Sequence, residues 1–214
     1  MGSGRFYPPR VYNSPMLVAE IKNETGEGWK RITLERRKAE IGQSVIKRQK
    51  LRERVWRCPE CFGPVTAVLA RQKVWHFRHL TPKDSCALRG GEGESELHRH
   101  LKFALAGALE RHYGEGIADF ELRPLGLTRI ADVLLALPLA GFTVAGEVQL
   151  SPLTLETLQQ RTFDYLSAEV EPVWCFQRDA IEAGFGEHYR WLLEQGCLVI
   201  LAQTRVTTHE FEML

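Results

Sequence analysis

From Ile130 to Gln149 the chain alternates as two apolar strands, I-A-D-V-L-L-A-L and F-T-V-A-G-E-V-Q, joined by the turn P-L-A-G. Each strand carries one acid, Asp132 and Glu147. A turn centred between Leu139 and Ala140 pairs every residue with the one whose number completes 279, so Asp132 falls opposite Glu147. Directly opposed residues of an antiparallel pair place their Cβ atoms roughly 4.5–5.5 Å apart. Two carboxylates at that distance on an apolar surface repel unless a cation sits between them. Period-2 alternation puts Gln149 on the face of Glu147 and turns Val144 and Val148 the other way. One acid per strand in this arrangement is the pattern of a one-metal or two-metal nuclease core.

The same reading assigns the remaining elements. M-L-V-A-E-I and W-K-R-I-T-L-E read as strands separated by the turn N-E-T-G-E-G. Residues 58 to 86 form a compact unit, and the glycine-rich R-G-G-E-G-E-S after it marks a boundary near Gly91. From Glu94 to about Tyr113 the period becomes helical, with Leu97, Leu101, Ala104, Leu105, Ala108 and Leu109 on one face and Arg99, Glu110 and Arg111 away from it. Strands follow near Ile117 to Arg123, Leu127 to Leu137 and Phe142 to Leu150. Ser151 and Pro152 read as cap and first residue of a helix reaching about Ala168. A strand P-V-W-C-F, a helix from Ile181 to Gln195 and a last strand C-L-V-I-L-A complete the order α-β-β-β-α-β-α-β. The expected class is therefore α/β. The expected parts are a basic β-rich segment (1–57), a metal-binding hairpin module (58–90) and a catalytic domain (91–214).

Composition changes this picture in three ways. A chain of 214 residues, 44% hydrophobic, holds one good-sized core with a small satellite module. It has no run of about 18 apolar residues to span a bilayer and no charged-then-apolar leader, so a cytoplasmic protein is expected. Five cysteines, an odd number, do not suit a closed disulfide framework. The net charge of +1 also conceals an asymmetry: residues 1–102 hold 21 Lys and Arg against 11 acids, and residues 103–214 hold 7 Arg, no Lys and 16 acids. The basic excess is densest where Lys47, Arg48, Lys50, Arg52, Arg54 and Arg57 lie among Ile46, Leu51, Val55 and Trp56. Such a run is either a solvated face or an arm that neutralises DNA phosphates while the acidic half holds cations.

Cys58-Pro-Glu-Cys61, the strand V-T-A-V-L-A, a turn and V-W-H-F-R-H, with Cys86 seven residues on, read as a structural zinc site. C-x-x-C supplies two thiolates from one knuckle, and a hairpin returns two further ligands. His76 and His79 point to opposite faces of a strand, so one of them is a bystander. The expected set is Cys58, Cys61, Cys86 and His79, with His76 as the substitute. A redox dithiol is the competing reading, but it wants a strand-to-helix setting that is missing here.

C-P-E-C, H-F-R-H, E-S-E-L-H-R-H-L-K, A-D-V, E-V-Q-L-S and R-T-F-D-Y, in that order, resemble the competence protein CoiA-like family, whose core is similar to the PD-(D/E)XK nucleases. The resemblance covers roughly residues 58 to 177. It implies a restriction-endonuclease-like mixed sheet flanked by helices, divalent-metal-dependent cleavage of DNA, and a role in DNA uptake, recombination or defence. By the family pattern Glu94, Asp132, Glu147 and Gln149 occupy the catalytic positions, with glutamine at 149 where the superfamily usually has lysine. At 100° per residue Glu94 extends the stripe of Leu97, Leu101, Leu105 and Ala108, although a helix N-terminal acid can also merely favour the macrodipole. His98, one turn on, suits orienting a ligand or binding a phosphate, although a lone helix histidine is more often just packed or solvated. Arg161 and Tyr165 share a helix face and suit contact with the scissile strand or packing of the helix end, and Ser151 is a weaker candidate.

The sequence thus reads as a DNA nuclease with structural zinc and a catalytic Mg²⁺ or Mn²⁺ on Asp132 and Glu147, hard oxygen donors suited to those ions. DNA is the expected partner, with a second copy of the chain or recombination or defence proteins left open. The rival is a catalytically degenerate DNA-binding factor, for which Gln149 is the argument. A zinc-bearing protein-interaction module with structural acids is the third reading.

Overall fold

The computed structural model describes residues 16–23, 28–34, 44–69, 75–80, 86, 95–114, 116, 118–204 and 209–213. The chain divides into two compact units, Met1–Glu94 and Ser95–Leu214.

The first unit is an antiparallel sheet of five strands, β1 (Val18–Lys22), β2 (Trp29–Thr33), β3 (Trp56–Arg57), β4 (Pro64–Val68) and β5 (His76–His79), in the order β2-β1-β3-β4-β5. A bridge between Met16 and Phe77 ties the approach to β1 back to β5. The basic run forms helix α1 (Val45–Glu53), started by Ser44, whose side chain accepts from the Lys47 amide at 3.3 Å. Alternation buries Val65, Ala67, Phe77 and His79, and Trp56 and Phe77 meet at a ring separation of 5.0 Å. The Trp56 indole N–H donates to the Leu51 carbonyl at 2.8 Å, so its one polar atom is satisfied in the core.

The second unit is a mixed sheet of six strands: β6 (Ala118–Leu122), β7 (Ala131–Leu137), β8 (Phe142–Gln149), β9 (Val170–Gln177), β10 (Leu198–Thr204) and β11 (His209–Met213). Their spatial order is β11-β10-β9-β8-β7-β6. The pairs β8/β9 and β9/β10 are parallel and the others antiparallel, as connections through helices require. Helix α2 (Glu96–Tyr113) precedes the sheet, α3 (Leu155–Ser167) links β8 to β9, and α4 (Gly186–Glu194) lies between β9 and β10. A Cβ on Gly146 would lie 2.9 Å from Leu105, so α2 covers the face to which Gly146 points. Ala145 belongs to the cluster of Ala131, Leu134, Tyr165 and Val170. Since neighbouring strand residues face opposite ways, α3 covers the other face. There Leu158, Trp174, Phe176, Leu192, Val199 and Leu201 form a further cluster with α4.

The β7–β8 ladder runs from Leu137↔Phe142 to Val133↔Gly146, every pair summing to the register set by the P-L-A-G turn. Four expectations change. The cap of α3 is Thr154, whose hydroxyl accepts from Thr157 N at 3.2 Å, and not Ser151, which instead receives the Gln149 amide. The helix expected from Ile181 starts only at Gly186, because the preceding π turn is interrupted at Gly184, where φ is 141°. Arg99 is not on an outward face: it is 5% exposed and paired with Glu96 at 2.5 Å, which lets a guanidinium be buried. Strand β11 lies outside the expected order, since H-E-F-E-M is short, has acids at two of its five positions and is paired through its backbone to β10.

Candidate active site and metal centre

The knuckle at Cys58 is closed by its backbone: Phe62 N donates to Cys58 O at 3.0 Å, Cys58 N donates to Gly63 O at 2.9 Å, and Phe62 takes φ 55° to make the turn. Strand β5 brings His79 to Cys61 with Nε2 3.3 Å from Sγ, and Cys86 lies 3.6 Å from Cys58, sulfur to sulfur. The four ligand atoms of Cys58, Cys61, His79 and Cys86 lie within 4.8 Å of one another. A tetrahedral zinc ion with Zn–S bonds of ~2.3 Å holds its sulfurs roughly 3.8 Å apart. The donor set therefore fits zinc and leaves no open position. Without a cation, burial pushes the Cys58 thiol up to about 12 and neighbouring Cys86 adds to this, against the backbone amides of Cys61 and Glu60. A bound dication reverses that preference. His76, opposite Val68 on β4, is outside the group.

Of the basic run, Lys47, Lys50, Arg52 and Arg54 are exposed on α1 and its end. Arg48 lies 5.2 Å from the Trp75 ring centre, so part of its role is packing. Arg57 stacks 3.7 Å over Trp29 and pairs with Glu20 at 2.7 Å.

In the second unit the acids of β7 and β8 are not left facing each other. Beyond Val133↔Gly146 the Asp132 carboxylate, not a β7 carbonyl, accepts the Val148 amide at 2.9 Å. His98 on α2 reaches the Val148 carbonyl at 2.9 Å and Asp132 at 3.2 Å, two acceptors, so Nε2 is the protonated nitrogen. Lys102, one turn further along α2, stands 2.9 Å from the other Asp132 oxygen. Burial would raise the Asp132 carboxyl, but the Lys102 ammonium, with His98 and the Val148 amide, holds it well below the usual carboxylate range.

Glu147, 3% exposed, takes its partners from α3: Arg161 at 2.6 Å and the Tyr165 hydroxyl, which donates to the other oxygen. Burial and then the charge of Asp132 push its carboxyl up to about 7, against Arg161 and Tyr165. Arg161 also approaches Gln149 Oε1 at 3.4 Å and lies over Trp174. The Gln149 amide donates to Ser151 O at 2.5 Å, and Ser151 Oγ is 3.4 Å away. The structure thus gathers Asp132, Glu147, Gln149, His98, Arg161, Tyr165 and Ser151 about the end of β8. Glu94 lies outside the described residues. Sequence reasoning missed Lys102 and Glu121, the latter 5% exposed and 3.5 Å from Lys102. The signal for Lys102 was available: it follows His98 at helical spacing, on the same face as the proposed ligand.

No curated protein and no solved structure matches the chain. The profile described as "Competence protein CoiA, nuclease-like domain" matches residues 94–201, half of the chain, and takes in α2, the β7–β8 acids and the α3 cluster that the fold brings together. The chain belongs to the CoiA nuclease-like family.

Proposed function

We propose that this chain is a divalent-metal-dependent deoxyribonuclease of DNA uptake, recombination or defence, with Asp132 and Glu147 as ligands of Mg²⁺ or Mn²⁺ and a structural zinc in the first unit. The observation that carries this reading is the carboxylate pair at the end of β7 and β8, Glu147 buried and Asp132 half-buried, with the charge of Asp132 felt at Glu147, inside the nuclease-like match. Both donors are hard oxygens, and a bound cation offsets the burial and the Asp132 charge that raise Glu147. Such an ion would lower the pKa of a water and neutralise phosphate charge. The chain's own groups do the rest. Tyr165 and Arg161 fix the Glu147 carboxylate, His98 orients Asp132, and in this reading Gln149, whose Oε1 accepts from Arg161 and whose amide donates to Ser151, positions the water by hydrogen bonds. In the first unit Lys47, Lys50, Arg52 and Arg54 present exposed charge suited to DNA phosphates.

A second reading, a DNA-binding factor without cleavage, is favoured by the side-chain cations on both acids and by the engagement of Gln149 with Ser151. Single-turnover cleavage of labelled single-stranded, duplex, nicked and branched DNA with Mg²⁺ or Mn²⁺, and with EDTA as control, separates the two. Asp132→Asn and Glu147→Gln should each abolish metal-dependent cleavage, on the order of 10³-fold or more, with DNA binding retained or tightened. Parental protein that binds DNA but cuts none of these substrates would leave the binding-factor reading in its place.

A further inference from the structure

Gln149 leaves β8 without a cation at the position where the PD-(D/E)XK superfamily usually has lysine. Residues 95–214 contain a single lysine, Lys102. It is not on the surface: its side chain is 6% exposed, with Nζ 2.9 Å from Asp132 Oδ1 and 3.5 Å from Glu121 Oε1. A buried ammonium is tolerated only when paired, and Lys102 has two carboxylates. Glu121 is itself unusual. It sits in β6 between the pairs Phe120↔Val133 and Leu122↔Ala131, with φ 52°, a left-handed conformation that a glutamate adopts only where its surroundings hold it. Its carboxylate is 6% exposed and meets Lys102. Two residues that no part of the nuclease reading requires are thus buried together against the proposed metal ligand.

We propose that Lys102 is the catalytic cation of this site, supplying from α2 the charge that a lysine at position 149 would supply from β8, and that Glu121 is the residue that positions it. The proposal rests on the reading of the site as a phosphodiesterase. In that hydrolysis the oxygen of a water bonds to phosphorus and the bond from phosphorus to the leaving oxygen breaks. The water gives up one proton and the leaving oxygen gains one. Lys102 enters through charge alone: its ammonium, 2.9 Å from the proposed ligand Asp132, offsets negative charge that grows on the phosphoryl oxygens in the transition state.

The test uses the full chain with Lys102→Met, Lys102→Gln, Glu121→Gln and each combined with Gln149→Lys. Lys102→Gln retains a hydrogen-bond donor for both acids and serves if the methionine variant does not fold. Mn²⁺ affinity by calorimetry is read beside single-turnover cleavage of labelled DNA. The neutral Lys102 variants should cleave about 10²- to 10³-fold more slowly. Their Mn²⁺ affinity should be equal to or tighter than the parent's, because the ammonium no longer competes for Asp132. Glu121→Gln should lose about tenfold in rate at unchanged Mn²⁺ affinity, and Gln149→Lys should recover part of the rate in both backgrounds. Parental rates in the folded Lys102 variants would overturn the proposal while leaving the nuclease reading standing. So would a parallel loss of rate and Mn²⁺ affinity, the mark of a purely structural ion pair. A parent that binds Mn²⁺ but cleaves nothing would overturn both.

Discussion

At the residue scale the site is governed by unequal treatment of two acids. Asp132 is offered an ammonium, an imidazole and an amide, and its charged form is favoured; Glu147 is buried deeper and feels Asp132, and its neutral form is favoured. The two shifts act on stability with opposite sign. A raised carboxyl stabilises the fold fully below its ordinary value of 4.5, and that contribution is lost as the pH climbs through about 7. The lowered carboxyl of Asp132 stabilises above its ordinary 3.8 and loses that contribution as the pH falls. In EDTA the melting temperature of the parent, taken relative to Glu147→Gln, should therefore decline between pH 4.5 and 7. Added Mn²⁺ should reverse the decline, since binding to the native state alone stabilises it. Parallel melting curves for the two proteins across this range would mean that Glu147 is not held neutral.

At the scale of elements, one face of helix α2 carries two tasks along its length, since positions 98, 102, 105 and 109 share a stripe at helical spacing. Leu105 and Leu109 press on Gly146 in β8, and His98 and Lys102 reach Asp132. The close approach needs a residue without a side chain: a Cβ at position 146 would come within 2.9 Å of Leu105 and 3.3 Å of Leu109. Gly146→Val should cost about 1–3 kcal/mol by overpacking and shift α2 outward, lowering cleavage by more than the loss of stability explains. Thermal melts and single-turnover rates on the same preparations check this, and an unchanged rate in a destabilised protein would uncouple the helix position from the site. Of the six residues that helical period puts on one face of α2, Leu101, Leu105, Ala108 and Leu109 are buried, and Leu97 and Ala104 are half-buried. The burial of Arg99 and Lys102 was not legible in that period, because a pattern of apolar residues carries no information about which charges find partners across the fold.

At the scale of the molecule the two units differ in chemistry. The first has a small aromatic core around Trp56, Trp75 and Phe77 and a four-ligand cluster beside it; the second has a six-stranded sheet covered on both faces. A small core depends on its metal more than a large one. Chelation, or Cys61→Ser, should release about one equivalent of zinc and destabilise the first unit, while hydrogen exchange in α2 and β7–β9 stays at the parental level. Retention of parental exchange in β3–β5 after complete metal loss would show that the cluster is not structural. The charge asymmetry makes a separate prediction. Log affinity for duplex DNA falls against log salt with a slope of about 0.9 for every phosphate the protein neutralises. Replacing Lys47, Lys50, Arg52 and Arg54 together by neutral residues should therefore flatten the salt dependence of DNA binding. An unchanged slope would make α1 a solvated face.

What the sequence alone determined is what depends on neighbours along the chain. The P-L-A-G turn set the register of β7 and β8, because a tight hairpin leaves one pairing for a period of two. The spacing of Cys58 and Cys61 defined a knuckle, and the period of α2 defined its buried stripe. Tertiary structure decided what depends on partners far apart in number. It chose His79 for the cysteine group and left His76 outside it, because only one face of β5 turns toward Cys61. It set Arg161 and Tyr165, fourteen and eighteen residues away, on the two oxygens of Glu147. It also brought Lys102 to Asp132 across thirty positions, where burial makes a charge costly unless another answers it.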